Sequence, residues 1–135
     1  MDNVAVVRRF YEEMCNKRRN DIAGDLFTDE HLMHDPQVPV RVGPGGMAAV
    51  VSTYQDGVDG RWIIEEIFDA GDRVVVRWTG MGKHVGIMNG IPPTGNDVSV
   101  DAISIHRMED GKIAETWEVW DTLGFLQQIG VMPAA

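Results

Sequence analysis

The stretch DAISIHRMEDGKIAETWEVWDTLGFLQQIG, residues 101–130, decides how the chain reads. Polar and apolar residues alternate on both sides of Glu109-Asp110-Gly111-Lys112, a turn composition, and a short amphipathic helical pattern follows at once. That is a β-hairpin running into a helix. Asp101, His106, Arg107, Glu115 and Glu118 sit among Ile103, Ile105, Ile113, Trp117, Val119 and Trp120. Ionisable groups on a mostly apolar sheet have to be paired, protonated or put to use.

Two turns fit the hairpin. A two-residue Asp110-Gly111 turn sets Glu109 opposite Lys112, Ser104 opposite Trp117 and Ile103 opposite Glu118. A three-residue loop with Gly111 left-handed sets Met108 opposite Lys112, Ala102 opposite Glu118 and Ser104 opposite Thr116. The second sorts the side chains better and is the expectation adopted. One face then holds Ala102, Ser104, His106, Met108, Ala114, Thr116, Glu118 and Trp120, small and polar groups that leave room for a ligand. The other holds Ile103, Ile105, Ile113, Trp117 and Val119, apolar enough for a subunit contact. In either register His106 and Asp121 are separated by roughly 20 Å, and in the adopted one His106 and Glu118 by roughly 13 Å.

The chain has 135 residues, 44% of them hydrophobic, which suits one domain over 1–135 with one substantial core. A net charge of −9 speaks against nucleic acid, whose phosphates require clustered Lys and Arg. The cluster Lys17-Arg18-Arg19 with Arg8 and Arg9 reads as a solvated helix face and end. A single cysteine, Cys15, provides no disulfide framework and falls on the helical face of Tyr11, as a buried thiol would. No apolar run reaches membrane-spanning length and no signal-peptide pattern opens the chain, so the expected location is cytoplasmic, with no membrane partner.

Asn3 caps a first helix marked by Val4, Val7, Phe10, Tyr11 and Met14. Asn20 caps a shorter one with Ile22, Leu26 and Phe27, closing near Thr28-Asp29. Residues 31–34 form a brief strand stopped by Asp35-Pro36, and 36–46 is a loop. Met47, Val50, Val51 and Tyr54 mark a third helix, ended by Asp56-Gly57 and Asp59-Gly60. From Arg61 the period is two, with strands over 62–68, 73–80, 96–108 and 112–121. The loop 82–95 is a candidate rim or lid. Helices followed by an antiparallel sheet make an α+β fold with a pocket between the layers.

On Val7-Arg8-Arg9-Phe10-Tyr11, His34-Asp35-Pro36, Gly82-Lys83-His84-Val85-Gly86, Gly90-Ile91-Pro92-Pro93-Thr94-Gly95, the turn Arg107-Met108-Glu109-Asp110-Gly111-Lys112-Ile113, and Leu126-Gln127-Gln128-Ile129-Gly130, the sequence resembles the SnoaL-like polyketide cyclases, within the nuclear transport factor 2-like group. The resemblance implies a cone-shaped curved antiparallel sheet wrapped around three N-terminal helices, with a short C-terminal helix. It also implies a homodimer or homotetramer and cofactor-free acid/base chemistry, an intramolecular aldol closure of a polycyclic aromatic polyketide. The family's proton-moving aspartate falls on Glu118, its histidine on Ser104 and a companion amide position on Ala102. A serine cannot titrate near neutral pH as a histidine does.

Glu118 is therefore the catalytic candidate, its pKa raised by Trp120, Met108 and the helices. His34, His84, Ser104, His106, Trp120 and Asp121 are the candidates for substrate binding. Asp121 also suits the N-cap of the last helix, and His31 reads as exposed. No metal-ligand set and no cofactor motif is apparent. The reading is an acid/base enzyme of cyclase or isomerase type, acting on a small hydrophobic carbonyl compound and self-associating through the outer sheet face. Two alternatives stay open: a non-catalytic dimeric module that binds a small apolar or aromatic ligand, and a hydrolase or dehydratase on the same fold.

Overall fold

The computed structural model describes residues 2–133. Helix α1 (Asn3–Arg9) is capped by Asp2, one residue before Asn3, whose carboxylate accepts from the Ala5 amide at 2.7 Å. The helix continues as π-helical turns over Phe10–Asn16. Gln55 satisfies the widened end by donating to the Cys15 and Met14 carbonyls at 2.9 and 3.3 Å. The Asn16 amide pairs with both backbone groups of Trp62, at 2.7 and 2.8 Å, and so fixes where the sheet begins relative to the helix.

A 3₁₀ turn (Asn20–Ile22) and α2 (Ala23–Leu26) follow. Strand β1 (Phe27–Asp35) starts where the sequence suggests helix, and the expected loop contains an edge strand, β2 (Val38–Val42). Pro39 is tolerated there because an edge has unpaired ladder positions. Helix α3 (Gly43–Val58) carries the chain to the far edge of the sheet, where β3 (Arg61–Asp69), β4 (Arg73–Lys83), β5 (Asp97–Glu109) and β6 (Lys112–Trp120) follow in antiparallel succession before α4 (Thr122–Gln128).

The six strands are ordered β2-β1-β6-β5-β4-β3. One pairing departs from the antiparallel expectation: β1 runs parallel to β6, with Met33 opposite Thr116 and His34 opposite Trp117. The sheet curves around α1 and α3. Phe10, Tyr11 and Met14 meet Val74, Val76 and Trp78 in the main core, and a smaller cluster of Val58, Met88, Val98, Phe125 and Ile129 closes one end. Cys15 is buried, as its helical position suggests. The convex face of β5 and β6 leaves Ile103, Ile105, Trp117 and Val119 exposed, Val119 by 66%.

The loop after β4 is not an open flap. The Val85 and Gly86 amides both donate to the Gly57 carbonyl, at 3.0 and 2.9 Å. Backbone meets backbone at this clasp, because a Cβ on Gly82 would overlap the Val58 carbonyl and one on Gly86 would overlap that of Asp56. Gly82→Ala is therefore expected to destabilise the protein by about 1–3 kcal/mol, the usual range for overpacking. Gly45→Ala, where no atom stands in the way, should leave the melting temperature nearly unchanged. Equal melting temperatures for the two variants would contradict the clasp.

Candidate functional site

The hairpin combines a two-residue turn with a bulge. Asp110 and Gly111 both have positive φ, 49° and 78°, as a two-residue turn of this hand requires. Glu109 consequently faces Lys112, against the three-residue expectation. Arg107 pairs with Glu115 while Met108 pairs with Ile113, so Ala114 is an extra residue on β6. This bulge restores the expected sorting of faces but shifts the partners. Ser104 stands opposite Glu118, His106 opposite Thr116 and Ala102 opposite Trp120. Ile113, expected outside, lies before the bulge and is fully buried. His106 is two strand positions from Glu118 rather than four.

Between sheet and helices lies a narrow cavity of about 50 Å³, within about 600 Å³ of space between the lining atoms that includes open solvent at the mouth. Met33, Met47, Val50, Trp62, Trp78 and Phe125 supply much of its apolar wall. Glu118 and Trp120 line it from β6, Tyr54 from α3 and Arg61 from the start of β3. Glu118 is the only carboxylate among the described lining residues.

Glu118 has two polar partners of different kind. The Ser104 hydroxyl donates to Oε1 at 3.0 Å, and Asp35 is hydrogen-bonded to the same carboxyl group. Burial above all, and then Asp35, pushes the Glu118 pKa well above the ordinary carboxylate range, against the smaller opposing effect of Ser104. Asp35 accepts from the Tyr54 hydroxyl at 3.2 and 3.3 Å, from the Trp120 indole at 3.3 Å and from the Gln37 amide at 2.8 Å. Two carboxyl groups in contact cannot both ionise readily, so the pair shares a proton. Three donors converge on Asp35, the Tyr54 hydroxyl reaching both its oxygens, and the raised pKa of Glu118 keeps the proton on Glu118.

Behind Ser104 a chain of buried groups runs to the opposite side of the core. The Trp78 indole donates to Ser104 Oγ at 3.0 Å, and the Tyr11 ring packs tilted against that indole. Tyr11 meets His106 Nε2 at 2.8 Å, His106 Nδ1 meets Thr116 Oγ1 at 2.9 Å, and Thr116 Oγ1 meets His31 Nε2 at 2.9 Å. Burial lowers the His31 pKa to about 4 and the His106 pKa to about 3, so both rings are neutral near pH 7. Ser104 gives its one proton to Glu118. The chain ends at His31 Nδ1, which is buried without a partner among the described residues.

Of the residues singled out in the sequence, Glu118 and Trp120 line the cavity, Ser104 touches Glu118, and His106 stands one layer behind. The other three lie away from both the lining and Glu118. His34 is on the convex face, bonded to Glu115 at 2.8 Å and stacked on Trp117. His84 is buried in the clasped loop, with Nδ1 against Thr94 at 3.0 Å. Asp121 is exposed and caps α4 through the Gly124 amide at 2.9 Å. His31, read as exposed, is fully buried, because β1 turns that side chain inward beside Phe27. Asp35, Tyr54 and Tyr11 escape the sequence reading. Only the unexplained aspartate in the His34-Asp35-Pro36 stop could have pointed to the first of them.

A curved sheet closed by helices, with an acid pair beside an apolar cavity, defines an α+β cone of the nuclear transport factor 2-like class. Within it the model of the SnoaL-like polyketide cyclase family matches residues 5–129, and the chain belongs to that family. Aklanonic acid methyl ester cyclase DnrD of Streptomyces peucetius is 29% identical over 133 residues, covering 94% of this chain and 90% of that protein. TsrD from Streptomyces laurentii superposes with a TM-score of 0.83 at 29% identity, covering 98% of this chain and 99% of that one. A SnoaL-like protein of Jannaschia sp. CCS1 reaches 0.87 at 23% identity, covering 97% and 93%.

The buried groups set opposite pH dependences. Unfolded histidines take up protons near pH 6.5, whereas His31 and His106 resist until about 4 and about 3. Over that window the unfolded chain holds more protons, so stability falls as pH drops, by up to about 1.4 kcal/mol per unit for each ring. Glu118 acts the other way. Its folded form keeps a proton that the unfolded carboxyl releases above about pH 4.5, so stability also falls as pH rises toward its raised pKa. Urea unfolding from pH 3.5 to 9 should show maximal stability near pH 6, and Glu118→Gln should remove the alkaline decline while keeping the acid one. Parallel curves for wild type and variant would refute this.

Proposed function

We propose that the protein is a cofactor-free acid/base catalyst of intramolecular aldol closure, acting on an apolar carbonyl compound of polyketide type. The observation that carries this reading is the Glu118–Asp35 hydrogen bond, with Glu118 reaching the cavity and Asp35 anchored behind it. Glu118 first passes its proton to Asp35 and then, as the carboxylate, removes a proton from the carbon between two carbonyl groups. The enolate attacks a second carbonyl of the same molecule, and the new carbon–carbon bond leaves an alkoxide. Glu118 then returns the proton to that oxygen. No proton is gained or lost overall. Asp35 is the reservoir that lets one residue serve as base and then as acid.

The Ser104 hydrogen bond holds Oε1, which leaves the other oxygen for proton exchange. The apolar walls exclude water, favouring ring closure over solvent protonation of the enolate. The relative DnrD is by name a cyclase of aklanonic acid methyl ester, which makes that compound the first probe of turnover.

With that ester as substrate, Glu118→Gln should lower kcat by about 10²–10⁴, the usual range for removing a general acid/base group. Asp35→Asn should lower it less and shift the pH profile, since it removes the proton reservoir but leaves the cavity carboxyl. Product formation followed by chromatography reads both. A Glu118→Gln enzyme within a few-fold of wild type would end the assignment. Tight binding of the ester by wild type without turnover would favour a ligand-binding module.

We also propose that the convex face meets a second copy of the chain. Ile103, Ile105, Trp117 and Val119 are adjacent on paired strands and form one apolar patch instead of scattered side chains. A dimer or larger oligomer should therefore be found by light scattering at tens of micromolar, and Ile103→Asp with Val119→Asp should yield a folded monomer. A monomeric wild type at that concentration would exclude the contact.

A further inference from the structure

Three residues that line the cavity, Glu118, Tyr54 and Trp120, hydrogen-bond to one carboxyl group, that of Asp35, which lies outside the lining. The proton chemistry uses Glu118 and Asp35 and leaves the two donors without a part. Tyr54 belongs to the cavity by its place on α3, where Met47, Val50, Val51, Tyr54 and Val58 recur at helical spacing and all line it.

The two donors are held differently. The Trp120 N–H is fixed in the plane of a ring that packs edge to face with both Tyr54 and Phe125, at 5.8 and 5.4 Å between centroids. The Tyr54 hydroxyl turns about its C–O bond. It divides one proton between both Asp35 oxygens, at 3.2 and 3.3 Å, longer than the usual O–H···O distance of about 2.5–3.0 Å. Burial above all, and then the charge of Asp35, keeps the phenol pKa above its ordinary range, so Tyr54 donates a hydrogen bond and holds its proton.

From this arrangement we infer that Tyr54 is a second catalytic residue, whose hydroxyl turns from Asp35 to the substrate oxygen on which negative charge develops. Transfer of the Glu118 proton to Asp35 frees it. Once neutral, Asp35 no longer accepts a charge-assisted hydrogen bond, roughly twice as strong as a neutral one. The charge passes to Glu118 and, when Glu118 takes up the carbon-bound proton, to the enolate oxygen. Because Tyr54 reaches both Asp35 oxygens, its hydroxyl lies within two hydrogen-bond lengths, about 6 Å, of the Glu118 carboxyl group. An enolate oxygen, two bonds from the deprotonated carbon, fits in that interval. No bond of Tyr54 is made or broken, and its single donor follows the charge from the protein to the substrate.

This role rests on the cavity being the site of the proposed aldol closure, and the experiment separates the two. With the same methyl ester as turnover probe, Tyr54→Phe keeps the ring against Trp120 and should lower kcat by about 10²-fold, the usual loss for one oxyanion donor. KM should stay within about threefold of wild type, because the contact forms only as charge develops. The loss should be the same when Tyr54→Phe is added to Asp35→Asn, since the donor then acts on the substrate and not through Asp35. A loss that vanishes in the Asp35→Asn background, a kcat unchanged by Tyr54→Phe, or an effect confined to KM overturns the role of Tyr54 and leaves that of Glu118 standing. A wild type that does not turn the ester over overturns both.

Discussion

A carboxyl group inside an apolar cavity is costly unless hydrogen bonds replace the water it has lost. Glu118 imposes that requirement, and the structure meets it from three directions. Ser104 comes from the neighbouring strand by virtue of the bulge at Ala114. Asp35 comes from β1, which lies beside β6 only because that pairing is parallel. Trp78 holds Ser104 from β4. Removal of any one of these elements would leave a buried polar atom without its partner.

Ser104 stands where the family resemblance places a histidine. A hydroxyl flanked by Trp78 and Tyr11 gives Glu118 one donated hydrogen bond without adding a titrating group at the wall. Imidazole is present one layer back, in His106 and His31, where burial keeps it neutral. The proton of Glu118 can then exchange only toward Asp35 and the cavity. The rigid chain behind it holds the carboxyl group in place and takes no part in the exchange.

Side-chain periodicity made much of this visible in the sequence. Alternation along 101–120 separates the cavity face from the convex face, and Glu118 follows from it together with the family position. Periodicity is blind to phase, however. A two-residue turn with a bulge and a three-residue loop give the same sorting of faces, so Ser104 opposite Glu118 could not be told from Ala102 opposite Glu118. Strand β1 was obscured because Thr28, Asp29 and Glu30 are polar and Phe27 completes a helical spacing with Leu26. Asp35 reads in the sequence only as part of the stop before Pro36, and its carboxylate does shape that turn by accepting from the Gln37 amide. Tyr11 meets His106 across 95 residues of chain, a contact that no local pattern encodes.

The parallel pairing of β1 with β6 also governs the order in which the protein assembles. The β3–β4 and β5–β6 hairpins are local and close quickly, whereas β1 must wait for a strand about 80 residues further along, as the His34–Glu115 contact at a separation of 81 shows. Until that ladder zips, Asp35 is far from Glu118, and Glu118 is an ordinary carboxylate in water. The proton-sharing pair and the finished topology therefore arise in one late step. A nascent or partly folded chain carries every residue of the site but not the raised pKa of Glu118, which exists only in the finished fold.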